Sequence, residues 1–325
     1  MFWQFFLICV LLALGLFLLI KGADWFVDGS SGLAKGMHVP PLVIGLTIVS
    51  IGTSMPEFSV SLTSSILGFN DMSFGNIIGS NIFNTFVVIG ASALFVPFVA
   101  TKEMKKYDIP ILIGIYLLLT LFSFVISPNV IEVFESIILF SITFAYTAFL
   151  ILRSRKEIKK EKELNKDNKI SKKTWIKNIV FTILGLAGIV LGGDLVVDNA
   201  SKFAQLLGMS ELLVGLTIVA VGTSLPELVT SIVAARKGEN DIAIGNAIGS
   251  CLFNVVLILG LCSTIAPAKI ADGSLFDLIV MLFSAVLILI FIFRKSIIKR
   301  WQGIVMILLY VAYLAYIVLR ELSIF

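Results

Sequence analysis

A stretch of about sixty residues recurs in related form 170 positions further along the chain, and the two copies align without an insertion. Gly45 to Leu62 reads GLTIVSIGTSMPEFSVSL, and Gly215 to Ile232 reads GLTIVAVGTSLPELVTSI. At the same offset Gly22, Asp24, Val27, Asp28 and Ser31 match Gly192, Asp194, Val197, Asp198 and Ser201, and Asn70 and Asp71 match Asn240 and Asp241. GNIIGSNIFN at 75–84 is answered by GNAIGSCLFN at 245–254. Agreement over that length marks a duplicated unit. Any fold for this chain must contain the unit twice.

The medium follows from composition. With 58% hydrophobic residues, 14% charged residues and a mean hydropathy of +1.04, the chain belongs in a lipid bilayer rather than in water. Stretches of the roughly 20 apolar residues needed to cross a bilayer recur along its whole length. Ten spans are expected: 2–28, 42–67, 73–96, 107–126, 131–152, 178–206, 212–235, 242–265, 274–293 and 301–320. The first lacks a basic n-region and is too long for a signal peptide, so it reads as a retained helix.

Five spans per copy is an odd number, so the second copy enters the membrane from the opposite face. The expected fold is therefore an all-α membrane protein of ten transmembrane helices in two inverted five-helix repeats, as in secondary transporters. The first repeat covers 1–152 and the second 178–325. A basic linker at 153–177, the one long polar segment, divides them. Basic residues are retained on the cytoplasmic side. With both termini extracellular, 22 of the 25 Lys and Arg residues fall on that side, leaving only Lys202, Lys269 and Arg320 outside. The linker is then cytoplasmic, and the chain is a multi-pass protein of the cell membrane. The net charge of +4 calls for no nucleic acid.

Each copy carries one glutamate in an otherwise apolar stretch, Glu57 and Glu227. Ionisable groups at membrane depth are costly and mark ion or substrate paths. Pro56 and Pro226 have no N–H, so helical bonds to the carbonyls of Gly52 and Gly222 cannot form. Such irregular backbone is tolerated at membrane depth where it is buried in protein or lines a hydrated cavity. Carbonyls from Ser50 to Thr53 and from Ala220 to Thr223, the hydroxyls of Thr53, Ser54, Thr223 and Ser224, and the two carboxylates form an all-oxygen set. Ser80 and Asn84, like Ser250 and Asn254, stand four residues apart and share a helix face. They add neutral oxygens. Asn76 and Asn246 are either further ligands on that face or interhelical hydrogen bonders, and Gly75, Gly79, Gly245 and Gly249 permit close packing.

Two carboxylates among many neutral oxygens suit Ca2+ better than Mg2+, and the same oxygens can serve Na+. Without Cys or His ligands, zinc, copper and iron are disfavoured. Cys9, Cys251 and Cys262 are expected to be buried apolar fillers. The lone histidine, His38, is far in sequence from both glutamates, so no enzyme is expected. Asp24, Asp28, Asp194 and Asp198 form i, i+4 acidic stripes that either attract cations or are solvated at the interface.

GTSMPE and GTSLPE, each followed by GNxIGSxxFN, resemble the two alpha repeats of the sodium/calcium exchanger family, within the cation/calcium antiporters and of the prokaryotic ten-helix type. The likeness covers essentially the whole chain. It implies alternating access in which Ca2+ is exchanged for Na+, commonly three, at a site between the second, third, seventh and eighth helices, with the first and sixth sliding across it. By the same resemblance Glu57 and Glu227 bridge Ca2+ and Na+, and Thr53 and Thr223 lend carbonyl oxygen. Ser54, Ser80, Ser224 and Ser250 serve flanking Na+ positions, Ser50 and Ala220 lend backbone oxygen, and Asn84 and Asn254 complete the centre. No cofactor and no obligate protein partner are implied. Potassium-dependent relatives resemble a pattern with aspartate at one of the last two positions, and proton/calcium exchangers usually carry GNxxE in place of GTSxPE. These are the rival couplings within the family, and a cation channel is the rival outside it.

Overall fold

The computed structural model describes residues 2–164, 171–207, 218, 220–270 and 274–321. The first half contains α1 (Phe2–Met37), α2 (Pro41–Thr53), α3 (Met55–Leu67), α4 (Asn70–Phe95), α5 (Met104–Ile126) and α6 (Val133–Leu164). The second contains α7 (Lys172–Leu206), a helical turn at Ala220–Gly222, α8 (Leu225–Arg236), α9 (Asn240–Ile265), α10 (Ser274–Lys295) and α11 (Arg300–Glu321). Among the described residues eight helices are long and apolar enough to cross a membrane, and nine when α2 and α3, bent by 49°, form one span. The span expected at 212–235 is described only at Ile218 and from Ala220 onward, so the start of the second GLTIVAVG segment lies outside the described residues.

Several helices outrun their apolar cores. α1 continues past residue 28 to Met37, and α7 begins at Lys172 rather than 178, because charged side chains do not stop a helix where the hydrocarbon ends. α1 stops where His38 takes a positive φ of 56° ahead of Pro40 and Pro41. The linker expected at 153–177 is likewise helical at both ends, within α6 to Leu164 and within α7 from Lys172. Residues 165–170 lie outside the described residues. Cys251 and Cys262 are buried, but Cys9 is exposed on the surface of α1, where it fills no gap in the core.

The inversion is visible in the packing of α1 on α7, which are equivalent helices. Gly15 meets Leu195, whereas Gly32 meets Asn178, so the two run antiparallel. Their backbones nearly touch: a Cβ on Gly22 would lie 2.6 Å from Ile189 N, and one on Gly192 would lie 2.5 Å from Leu19 N. Only glycine permits that approach. This pair is peripheral, with 22% of each apolar span buried, while α4 and α9 at the centre are 83% and 78% buried.

Two short antiparallel sheets tie the halves together. β1 (Phe98–Val99) pairs with β4 (Ile297–Ile298), and β2 (Val130–Ile131) pairs with β3 (Ala268–Lys269). Each sheet takes one strand from each half. The buried pair Asp108 and Arg153, joined at 2.9 and 3.2 Å, has a counterpart in Asp277 and Arg320 at 3.3 Å. The duplication thus reaches the outer helices, with its offset drifting from 170 to 169 and 167.

Candidate cation site

In both copies the helix breaks at the serine of GTSxPE. Ser54 (φ −82°, ψ 11°) and Ser224 (φ −93°, ψ 7°) leave the helical conformation, and Pro56 and Pro226 open the next helix, where a missing N–H costs nothing. The break creates a new helix N-terminus with Glu57 or Glu227 in its first turn. The partial positive charge of that terminus favours a carboxylate there. The proline therefore places the acid as well as bending the span.

Glu57, Glu227, Ser54 and Ser224 are all buried. Ser54 Oγ donates to Glu227 Oε1 at 2.8 Å, and Ser224 Oγ donates to Glu57 Oε1 at 2.8 Å. Each serine thus holds the acid of the other half, which brings two groups 170 residues apart into one site. Asn76 Nδ2 bonds Glu57 O at 3.3 Å and Ser61 Oγ at 2.9 Å; Asn246 Nδ2 bonds Glu227 O and Ser231 Oγ at the same two distances. The two asparagines therefore brace helix against helix. Ser61 and Ser231 carry no mark in the sequence beyond the 170-residue offset that relates them.

The α-helical winding of α4 and α9 gives way to π-helix at Asn84 and at Asn254. π-Turns recur at functional sites. Ser250 Oγ reaches Glu227 Oε1 and Ser50 O, both at 3.4 Å. Ser50 O also accepts from Ser54 N at 3.0 Å and from Thr53 Oγ1 at 3.3 Å. Thr53 Oγ1 donates to Asn246 Oδ1 at 2.9 Å, whereas Thr223 Oγ1 has no partner among the described residues. Ala220 heads the turn before Ser224. Gly245 and Gly249 pack on the backbone of α2, where a Cβ on Gly249 would lie 2.8 Å from Leu46 Cα. Residues 212 and 216, which stand 170 positions beyond Leu42 and Leu46, are outside the described residues.

Six buried oxygens in this network have no hydrogen-bond partner among the described residues: Glu57 Oε2, Glu227 Oε2, Ser80 Oγ, Asn84 Oδ1, Asn254 Oδ1 and Thr223 Oγ1. A buried polar group without a partner costs about 1–3 kcal/mol, more when charged. All six belong to residues that the sequence marks as ligands. Among the described residues no cluster of three His, Cys, Asp or Glu occurs, so two acids and neutral oxygens make up the donor set.

A cavity of about 660 Å3 approaches this centre from one face, between α3 and α7, and is lined by Asp194, Asp198, Pro56, Thr223 and Pro226 among others. At the opposite face Lys237 Nζ lies 2.6 Å from Asp24 Oδ1 and 2.7 Å from Asp28 Oδ1. Glu239 Oε1 accepts from Ser31 Oγ at 2.5 Å and from Lys35 Nζ at 3.2 Å. Burial works against the Lys237 charge, but its bonds to Asp24 and Asp28 outweigh it and hold the ammonium above its ordinary value of 10.5.

Inverted repeats meeting at a pair of buried carboxylates define a membrane transporter. The sodium/calcium exchanger protein family model matches residues 7–152 and 177–319. The chain belongs to that family. It is 36% identical to sodium/calcium exchanger MaX1 of Methanosarcina acetivorans over 94% of this chain and 97% of that one. It is 35% identical to inner membrane protein YrbG of Escherichia coli over 88% and 89%. A solved structure of the sodium-calcium exchanger NCX_Mj, soaked with 2.5 mM Na+ and 0.1 mM Ca2+, matches with a TM-score of 0.83 and 30% identity over 95% of this chain and 98% of that one.

Proposed function

We propose that this protein is a secondary antiporter that exchanges Na+ for Ca2+ by alternating access, with three Na+ moving against one Ca2+. The observation that carries the reading is the reciprocal pairing of Ser54 with Glu227 and Ser224 with Glu57, which leaves one oxygen of each carboxylate without a partner among the described residues. Ca2+ takes six to eight oxygens in flexible geometry. Glu57 and Glu227 supply the charge, and Ser80, Asn84, Asn254 and Thr223 supply neutral oxygens. Ser54, Ser224 and Ser250 serve Na+, with Thr53 and the backbones of Ser50 and Ala220 completing the walls. Two fixed negative charges balance one Ca2+, so exchange for three Na+ carries one net charge per cycle.

In the orientation favoured by the basic residues both termini are extracellular, the Lys237 face is cytoplasmic, and the protein resides in the cell membrane. The cavity beside Asp194 then faces outward. Residues 1–152 and 178–325 act as the two inverted repeats, with 153–177 linking them. Transport, not bond chemistry, is the activity; the ions are cargo and no cofactor is required.

Reconstituted protein is expected to take up 45Ca2+ only when an outward Na+ gradient is imposed. Uptake driven equally well by a pH gradient without Na+ would overturn Na+ coupling. Uptake that needs K+ would assign the potassium-dependent exchange, and flux indifferent to either gradient would assign a channel.

A further inference from the structure

Positions 81 and 251 are equivalent under the 170-residue offset and face each other in the buried centre. Asn81 Nδ2 donates to Cys251 O at 3.1 Å, and Cys251 Sγ donates to Asn81 O at 3.6 Å. The two contacts are reciprocal, but the two side chains are not. A backbone carbonyl only accepts, so the end of Asn81 turned toward Cys251 O must be its nitrogen. A second contact from that nitrogen runs to Met281 Sδ at 3.9 Å. The oxygen of Asn81 is therefore fixed on the other side, where Asn254 Nδ2 donates to it at 3.0 Å.

This fixes Asn254 in turn. Its nitrogen is engaged by Asn81, and its Oδ1 is left buried with no protein donor. Asn84, the equivalent of Asn254, has no such clasp. The residue at position 251 is cysteine, which has no amide oxygen to offer, and both Oδ1 and Nδ2 of Asn84 are without partners among the described residues.

We propose that Asn81 is a positioning residue that locks the Asn254 carboxamide with its oxygen, and not its nitrogen, presented to the transported cation. The proposal rests on the reading of Asn254 as a cation ligand. An unclasped carboxamide can rotate by half a turn and present N–H groups, which repel a cation. Asn81 removes that alternative without touching the ion. The centre is thus less symmetric than its motifs suggest: Asn254 is oriented by Asn81, and Asn84 has no equivalent clasp from position 251.

The natural test places at position 81 the residue that its equivalent already carries. Asn81→Cys keeps a donor for the Cys251 carbonyl and removes the oxygen that holds Asn254, together with the long contact to Met281 Sδ. In proteoliposomes driven by an outward Na+ gradient, the Ca2+ concentration for half-maximal 45Ca2+ uptake is expected to rise about tenfold, with maximal rate within about twofold. Asn81→Ala serves the same purpose should the cysteine variant fail to fold. The decisive comparison is in an Asn254→Asp background, with Ca2+ binding followed by calorimetry on purified protein. A carboxylate has oxygen at both ends and needs no orientation, so the cost of Asn81→Cys should vanish there. An undiminished cost would assign Asn81 to packing and overturn the proposal, as would an unchanged half-saturation in the single variant. Asn254→Leu separates the two levels. Normal Ca2+ uptake in that variant would remove the ligand reading itself, whereas lost uptake with a silent Asn81→Cys would remove only the positioning role.

Discussion

Asp24 and Asp28 on α1 and Asp194 and Asp198 on α7 occupy equivalent places in the two halves, yet they meet different neighbours. The first pair is bound by Lys237, with Ser31 and Lys35 joined to Glu239 one turn further on. The second pair lines the cavity that leads to Thr223 and Pro226. The cause is in the opposing loops. The first half has Leu67 and Phe69 where the second has Lys237 and Glu239, so no cation waits beside Asp194 and Asp198 at those positions. At the centre the bonds of the crossing serines Ser54 and Ser224 and of Asn76 and Asn246 agree between the halves to a tenth of an ångström. Duplication has kept the serine–carboxylate core of the centre alike in both halves and let the approaches diverge, so the two faces of the inverted repeat are unequal.

The largest effect is expected at the part the halves share. Glu57→Gln and Glu227→Gln each exchange an accepting, charged oxygen for a donating amide and halve the charge of the centre. Each should lower Na+-driven 45Ca2+ uptake about 100-fold or more in protein that still elutes as a folded species from size exclusion. Normal transport in one variant alone would break the equivalence of the two half-sites, and normal transport in both would remove the centre.

A second comparison uses the outer ion pairs. Asp108 is fully buried and Arg153 is 12% exposed, stacked near Tyr107 and Phe149, whereas Asp277 and Arg320 are 12% and 26% exposed. Removing one partner of a buried pair costs about 3–5 kcal/mol because the other is left charged and uncompensated. Arg153→Leu should therefore lower the unfolding midpoint in detergent clearly more than Arg320→Leu. Equal losses would show that burial does not separate the two pairs.

These pairs also mark what the sequence conceals. Glu57, Glu227 and their serines stand out because a carboxylate or a proline inside an apolar run is physically expensive, and because the 170-residue offset pairs them. The inversion follows from counting spans. Asp108, Arg153 and Tyr146 match Asp277, Arg320 and Tyr313 only after the offset slips in the connecting loops, so a fixed-offset reading misses them. The Asn81 clasp is invisible for a different reason: its partner in the other half is a cysteine, and its meaning depends on which end of an amide faces a carbonyl. Helix ends run beyond the apolar core where charge follows it, as in α1, because hydropathy reports lipid depth and not helix length.

Smaller and symmetric effects are expected from the crossing serines. Ser54→Ala and Ser224→Ala each remove a 2.8 Å bond to a carboxylate, leaving that oxygen without its donor. A hydrogen bond to a charged group is worth about 1.5–3 kcal/mol, so half-saturation for Na+ should rise about tenfold or more in either variant. Equal shifts would extend the agreement of the two halves from geometry to energy, and a one-sided shift would place the Na+ positions mainly in one half.

The smallest effect belongs to the ion pairs of the Lys237 face. Lys237→Leu gives the second half the residue that the first half carries at position 67, and it releases Asp24 and Asp28. Partly exposed ion pairs contribute up to about 1 kcal/mol each, so the balance between the two faces should move about fivefold. The readout is the rate at which a membrane-impermeant thiol reagent, applied from the Lys237 face, modifies Val233→Cys in a Cys9→Ser background. Val233 lies beside Asp24 and Lys237 at that face, and Cys9 is the one exposed cysteine of the three. With its ammonium held above 10.5, Lys237 is charged at neutral pH; its contribution is complete below the ordinary value and fades only as pH climbs through the raised one. Labelling should therefore stay slow across neutral pH in the parent and quicken in Lys237→Leu. An unchanged rate would mean that the closed face is held by the packing of α1 on α8, and that the difference in charge between the two approaches is a consequence of closure and not its cause.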